Sequence, residues 1–211
     1  MPRQSGLVPE LTGKIIFEPE YGHRDFIRGL EGFSHLWLIW ELSLAENGSF
    51  HPTVRPPRLG GNTRIGVFAS RSPFRPNPIG LSSVKLISIE YSGDVPTLIV
   101  GGADLADGTP ILDIKPYLPY TDCHPDAVGG YTDTIDSTPL HVVLPENIGE
   151  YFDFEKASAL ERLLALDPRP SYHDDPYRVY GMSFDGCEIK FTVSEKTLIV
   201  TEVFRKHSSD R

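Results

Sequence analysis

Two cysteines in 211 residues, Cys123 and Cys187, leave no material for a disulfide framework, and neither has a second cysteine or a histidine at zinc-finger spacing. The neighbours Cys123-His124 form a lone pair in a loop, too few ligands for a metal site, so none is expected. No apolar run approaches the length of a membrane span. The opening Met-Pro-Arg-Gln-Ser-Gly lacks the apolar stretch of a secretion leader, so a reducing, cytoplasmic setting is expected. There is no G-x-G-x-x-G and no alternation of strands with helices, which argues against a doubly wound nucleotide-binding domain. Acidic residues are missing from one long interval: between Glu46 and Glu90 there is none, while Arg55, Arg58, Arg64, Arg71, Arg75 and Lys85 all fall inside it.

The chain as a whole carries a net charge of −9, so that interval makes a basic face on an acidic protein. Such a face still binds a polyanion, because local field and counterion release set the encounter. Pairing of some of these arginines with the acidic C-terminal half is the alternative. With 39% hydrophobic residues, 19 glycines and 19 prolines, the composition is that of a folded, turn-rich, strand-dominated protein. The length suits one main domain with a small appendage.

His35–Leu42 is a continuous apolar run that fits a buried strand, and residues 63–69, 81–91, 97–100 and 111–114 are further strand candidates. Short strands separated by Gly, Pro and Asp turns predict a mainly β protein built on a single antiparallel β-barrel. Residues 140–144 read as its last strand. Residues 154–166 place leucines at near-helical spacing until Asp167-Pro168 stops them. Three alternating strands over 177–184, 188–193 and 198–204 follow, with Asp185-Gly186 as a hairpin signal. The expected division is a barrel over 1–145 and a small α+β appendage over 146–211.

The densest local signal is Gly66–Gly80, G-V-F-A-S-R-S-P-F-R-P-N-P-I-G. Its prolines fix φ and hold Ser72, Arg75 and Asn77 in extended geometry, so Arg71 and Arg75 start from a narrow set of directions. Guanidinium groups on such a frame suit planar or anionic ligands. Composition alone fits equally a stiff connection between strands with solvated arginines.

That run, together with Pro52–Asn62, Asp104–Thr109 and Ile111–Tyr120, closely resembles the TsaA-like family, the TrmO-type tRNA methyltransferases. The resemblance extends from about Pro2 to Tyr120 and resumes at Asp167–Tyr172. It implies a β-barrel that binds S-adenosylmethionine, usually between two subunits, and a small C-terminal domain that helps to hold tRNA. It further implies methyl transfer to the exocyclic nitrogen of threonylcarbamoyladenosine, the modified base beside the anticodon. Matched motif by motif, the cofactor contacts fall on Pro2, Arg3 and Gln4; on Ser43 and Leu44; on Arg71 and Leu81; and on Asp104, Leu105, Ala106, Asp107 and Gly108. Many relatives carry His-Gln where Ser43-Leu44 stand, and a strand ahead of the Pro-Arg-Gln segment.

Methyl transfer from a sulfonium is an in-line displacement in which positioning carries most of the work. The acceptor nitrogen lies between an adenine and a carbamoyl group, so its proton is acidic enough for a carboxylate or a tyrosine to serve as base. Asp113 and Tyr117 are the expected catalytic residues, with Lys115 near a substrate carboxylate or phosphate. Arg55, Arg58, Arg64, Arg75 and Arg169 are the expected tRNA contacts, where arginine–phosphate bonds position the substrate. In the Pro-rich loop, Arg71 is expected to face cofactor and Arg75 substrate. Asp104 and Asp107 could instead serve as turn-formers, and Asp113 as a simple ion-pair partner. A methyltransferase for another acceptor, or an RNA-binding barrel without catalysis, are the competing functions.

Overall fold

The computed structural model describes residues 4–44, 50–60, 62–135, 137–169 and 175–205. The chain divides into two compact units: 1–56 with 62–134, and 57–61 with 135–211.

The first unit is an antiparallel five-stranded sheet of β1 (Thr12–Ile16), β2 (His35–Glu41), β5 (Ile79–Ser92), β6 (Val95–Gly101) and β7 (Ile111–Pro116), in the order β1-β6-β5-β2-β7. A two-stranded ribbon, β3 (Thr53–Val54) with β4 (Ile65–Gly66), accompanies it, as does a single helical turn, α1 (Pro119–Asp122). β5 is 14 residues long and changes partners along its length. Its first half pairs with β2 from Ile79↔Glu41 to Lys85↔His35, and its second half with β6 from Lys85↔Gly101 to Ser92↔Val95. The two ladders overlap only at Lys85, so the sheet is strongly staggered.

The expected single barrel is met in its coarser form, a mainly β unit with antiparallel pairing. Among the described residues the ladder ends at β1 on one side and β7 on the other, without a closing pair. The core is the face carrying Leu36 and Leu38 of β2, Val84 of β5, Leu98 and Val100 of β6 and Ile15 of β1, all nearly or fully inaccessible. Alternation explains this, because directly paired residues share a face: Leu36↔Val84 and Leu38↔Ser82 point inward while Trp37↔Ser83 and Ile39↔Leu81 point outward.

The expected strand over 63–69 is only the two residues of β4, after which Val67–Ala69 turn as a 3₁₀ helix. The Val67 N–H goes to the Pro52 carbonyl at 3.0 Å, and Ser70 N–H and Oγ both return to the Val67 carbonyl, which ends the extension. β1 was not anticipated, since Thr-Gly-Lys-Ile-Ile is too short to show a period.

The second unit packs α2 (Phe154–Ala165) on a four-stranded sheet in the order β8-β11-β10-β9, with β8 His141–Val143, β9 Tyr180–Phe184, β10 Cys187–Ser194 and β11 Thr197–Arg205. Residues 140–144 therefore do not close a barrel. They supply β8, which runs parallel to β11 through Thr197↔His141, Leu198↔Val142 and Ile199↔Val143. Burial of Val142 and the bond from Leu140 N–H to the Ala165 carbonyl (2.9 Å) hold it there, so the appendage has four strands rather than three. Asp153 caps α2 by accepting the Lys156 N–H at 2.9 Å, and Ala159, Leu160, Leu163 and Leu164 bury its apolar face. Asp185 and Gly186 both have positive φ and form the anticipated β9–β10 hairpin. No helix of the described residues is long and apolar enough to cross a membrane.

Candidate functional site

Three strand ends meet at one end of the first sheet. β2 leaves there after Glu41, which pairs with Ile79 at the start of β5, while Glu41 N–H donates to the Pro110 carbonyl just before β7. Leu42 N–H donates to the Pro78 carbonyl at 2.8 Å, clamping the exit of β2 to the tail of the arginine loop. Ser43, Leu44, the Gly66–Gly80 loop and Leu81 therefore share this end. Leu44, Phe74, Ile79 and Leu81 are all exposed there, each by about half of its surface or more.

The Asp104–Gly108 turn joins them through a buried relay. Trp40 Nε1 donates to Ser82 Oγ at 3.0 Å, and Ser82 Oγ donates to Asp104 Oδ1 at 2.6 Å. Leu105 packs against the core cluster, so it anchors the turn from below. Thr109 closes it with two bonds to the Ala106 carbonyl, and Gly108 supplies the left-handed residue (φ 74°), with Asp107 exposed beside it. The N-terminal segment is stapled alongside: Gly6 N–H donates to the Gly102 carbonyl and Gly102 N–H to that of Leu11. Gly102 has φ +75°, and a Cβ there would stand 3.2 Å from the Gly6 Cα, so only glycine allows this approach. Gln4, which precedes the staple, accepts from Arg71 through its side-chain oxygen. Pro2 and Arg3 lie outside the described residues.

Arg71 and Arg75 have different partners. Arg71 is exposed and reaches Gln4, whereas Arg75 is half-buried and donates to the Ser70 carbonyl of its own loop at 3.1 Å. Ser72 N–H on Ser70 Oγ and Phe74 N–H on Ser72 Oγ stiffen the same loop. Arg75 is thus a brace as much as an outward-facing charge.

The expected catalytic residues separate. Asp113 pairs with Ile39 and Lys115 with Trp37, so both stand on the outward face with Leu81, opposite to the face of Ser82. Lys115 Nζ lies 2.8 Å from Asp113 Oδ2, and Ile114 N–H donates to Asp113 Oδ1 at 2.9 Å. The Lys115 ammonium, ahead of the backbone donor, holds the Asp113 carboxyl below the usual carboxylate range. Tyr117 lies at the far end of β2, with its N–H on the His35 carbonyl and its ring 5.5 Å from that of Trp37. A seven-residue strand separates it from Ser43 by about 20 Å. Loss of solvent around the phenol, then the neighbouring Cys123 and Asp122, raise its pKa and keep it neutral. Asp122 itself is lowered by the Leu118 N–H and then by Trp37 Nε1, which donates at 2.8 Å. Tyr117 is therefore part of a Trp37–Asp122 corner and not of the loop-lined end.

Of the expected tRNA contacts, Arg55 and Arg64 are exposed on and beside the β3–β4 ribbon, and Arg64 donates to Thr53 Oγ1 at 3.1 Å. The Arg58 side chain lies outside the described residues. Arg169, in the second unit, is gripped by Asp167: Nε to Oδ1 and Nη2 to Oδ2 are both 2.9 Å, and its side chain is only 13% exposed. That fork clamps the loop through two of the five guanidinium donors. Trp40, Gly80 and Ser82 were missed from sequence, because a small-residue start to a strand gives no sign of what faces it.

Among the described residues no group of three or more His, Cys, Asp or Glu is placed to hold a metal ion. Residues 1–123 match the family model of the tRNA-methyltransferase O N-terminal domain, and residues 146–206 that of the TrmO C-terminal domain. The tRNA (adenine(37)-N6)-methyltransferase of Escherichia coli (strain K12) is 39% identical over 203 residues, covering 92% of this chain and 86% of that protein. The protein of the same name from Eikenella corrodens is 45% identical over 172 residues, covering 81% and 97%. The crystal structure of TrmO from Pseudomonas aeruginosa superposes with a TM-score of 0.73 at 31% identity, covering 96% of this chain and 89% of that one.

Proposed function

The chain belongs to the tRNA-methyltransferase O family, and we propose that the loop-lined end of its first sheet is where an S-adenosylmethionine-dependent methyl transfer to tRNA takes place. The acceptor is the exocyclic nitrogen of threonylcarbamoyladenosine at position 37, beside the anticodon. The observation that carries the placement is the convergence of Gln4, Arg71, Ser43, Leu44, Leu81 and the Asp104–Gly108 turn on one sheet end.

The donor groups there fit the cofactor. Asp104 presents a carboxylate for hydroxyl or ammonium donors, Arg71 and Gln4 offer a charged and an amide group, and Leu44 and Leu81 give apolar surface. S-adenosylmethionine, when bound, supplies an electrophilic methyl group on a sulfonium. Asp113, one residue pair from the end of β2, accepts the proton that the acceptor nitrogen gives up, and its low pKa keeps it ionised for that task. Lys115 orients it and faces the threonyl carboxylate or a phosphate. Arg55 and Arg64, exposed residues of the stretch of sequence that has no acidic residue, position the tRNA backbone.

Solvent-exposed Leu44, Phe74, Ile79 and Leu81 on the same end are more apolar surface than a finished site leaves open, which supports a homodimer whose partner covers it. The stagger along β5 supports a barrel-like wrap of the sheet. The first unit would bind cofactor and the second would contact tRNA, in a cytoplasmic enzyme.

The test is to incubate the protein with S-adenosylmethionine and tRNA carrying threonylcarbamoyladenosine, then to analyse the nucleosides by mass spectrometry. A methylated threonylcarbamoyladenosine is the expected product. Methylation of unmodified adenosine instead, or none with active cofactor binding, would reject this acceptor.

A further inference from the structure

Ser82 is the one polar side chain among the described residues that is buried with the core, at 1% exposure. It stands on β5 between Gly80 and Val84, directly opposite the fully buried Leu38. Packing alone would be served by alanine or valine, and a buried hydroxyl costs free energy unless its hydrogen-bonding capacity is used. Here it is used on both sides: Ser82 Oγ accepts from Trp40 Nε1 and donates to Asp104 Oδ1.

The sense of that relay is fixed at its start. An indole N–H can only donate, so Ser82 must accept from it, and the serine proton is left for Asp104. The short 2.6 Å contact is that expected of a hydroxyl bonded to a carboxylate. Asp104 is thereby held by Oδ1. Its Oδ2 has no hydrogen-bond partner among the described residues, and the residue is half-exposed.

We propose that Ser82 and Trp40 are positioning residues of the cofactor site, which aim Asp104 so that its Oδ2 accepts a hydroxyl or ammonium donor of S-adenosylmethionine. This inference rests on the reading of the Asp104–Gly108 turn as cofactor-binding. Neither residue touches the cofactor in this scheme; both act through Asp104.

The test is isothermal titration of the full chain with S-adenosylmethionine, paired with steady-state methylation, for the wild type, Ser82→Ala, Asp104→Ala, Trp40→Phe and the double variant Ser82→Ala/Asp104→Ala. Ser82→Ala and Asp104→Ala should each weaken cofactor binding roughly tenfold or more, the scale of a hydrogen bond to a charged group. For Ser82→Ala and Trp40→Phe, turnover at saturating cofactor should stay within about twofold, so the effect of these positioning residues appears in KM. The double variant should bind no worse than Asp104→Ala alone, because a residue that acts through Asp104 has nothing left to act on. Additive losses, wild-type affinity in Ser82→Ala or Asp104→Ala, or a fall in turnover without a change in affinity would each overturn the proposal. Should Ser82→Ala fail to fold, Trp40→Phe removes the single N–H while keeping a ring, and its combination with Asp104→Ala carries the same comparison. A wild-type protein that does not bind the cofactor would instead reject the underlying placement, a result visible without any variant.

Discussion

The indole of Trp40 packs onto Gly80, its direct partner across the β2–β5 ladder: a Cβ at position 80 would fall 2.2 Å from ring atom Cε2 and within 2.5 Å of two others. A bulky ring held in a sheet cannot yield by that much without shifting its neighbours. Gly80→Ala should therefore cost about 1–3 kcal/mol of stability as an overpacked core position, read as a lower denaturant midpoint at unchanged slope. Displacing the ring also breaks the bond to Ser82, so cofactor affinity should fall in the same variant.

Asp113 and Lys115 form a half-exposed pair, and its expected consequence lies in catalysis rather than stability. Asp113→Asn should lower turnover by about a hundredfold or more if the carboxylate takes the proton. Full turnover on correctly modified tRNA would remove Asp113 from that role. Because Lys115 depresses the Asp113 pKa, the carboxylate stays ionised as pH falls until that lowered value is reached. Lys115→Met should therefore move the acid limb of the pH–rate profile upward, towards the ordinary carboxylate range.

The acid-free stretch between Glu46 and Glu90 makes tRNA affinity a salt-dependent quantity. Plotted against salt on logarithmic axes, affinity should fall linearly, and Arg55→Ala and Arg64→Ala should each reduce the slope by about one phosphate contact. A flat dependence would dismiss the basic surface as a tRNA-binding element.

Arg169 and Asp167 should behave as a structural clamp. Asp167 has a positive φ of 53°, which the fork from Arg169 and the Arg169 N–H help to hold. Arg169→Lys cannot reproduce two parallel bonds and should cost about 1–3 kcal/mol in thermal unfolding. The salt slope of tRNA binding should not change.

Much of the second unit was legible because its signals are local: the leucine spacing of α2, the Asp185-Gly186 turn and the alternation in β10 all act within a few residues. β8 was misassigned for the opposite reason, since three residues of Val-rich chain suit either sheet and only the distant Leu198 decides between them. The candidate site divides the same way. Arg71, Asp104 and the Gly66–Gly80 loop stood out by composition and motif. Ser82 looked like one more polar residue in an alternating strand, and its importance depends on Trp40 and Asp104, which reach it from elsewhere in the chain. The fork from Arg169 to Asp167 spans only two residues, yet nothing in a Pro-flanked arginine announces it.

β11 sits between β8 and β10, although it is made after both. During synthesis the strands on either side of it must wait, unpaired along those edges, until residues 197–205 clear the ribosome. A message broken or a chain cleaved before that point would leave two open edges where a continuous sheet should be, surfaces of the kind that quality control and aggregation both act on. The order of strands in the second unit thus makes late completion of the polypeptide a condition for its folding.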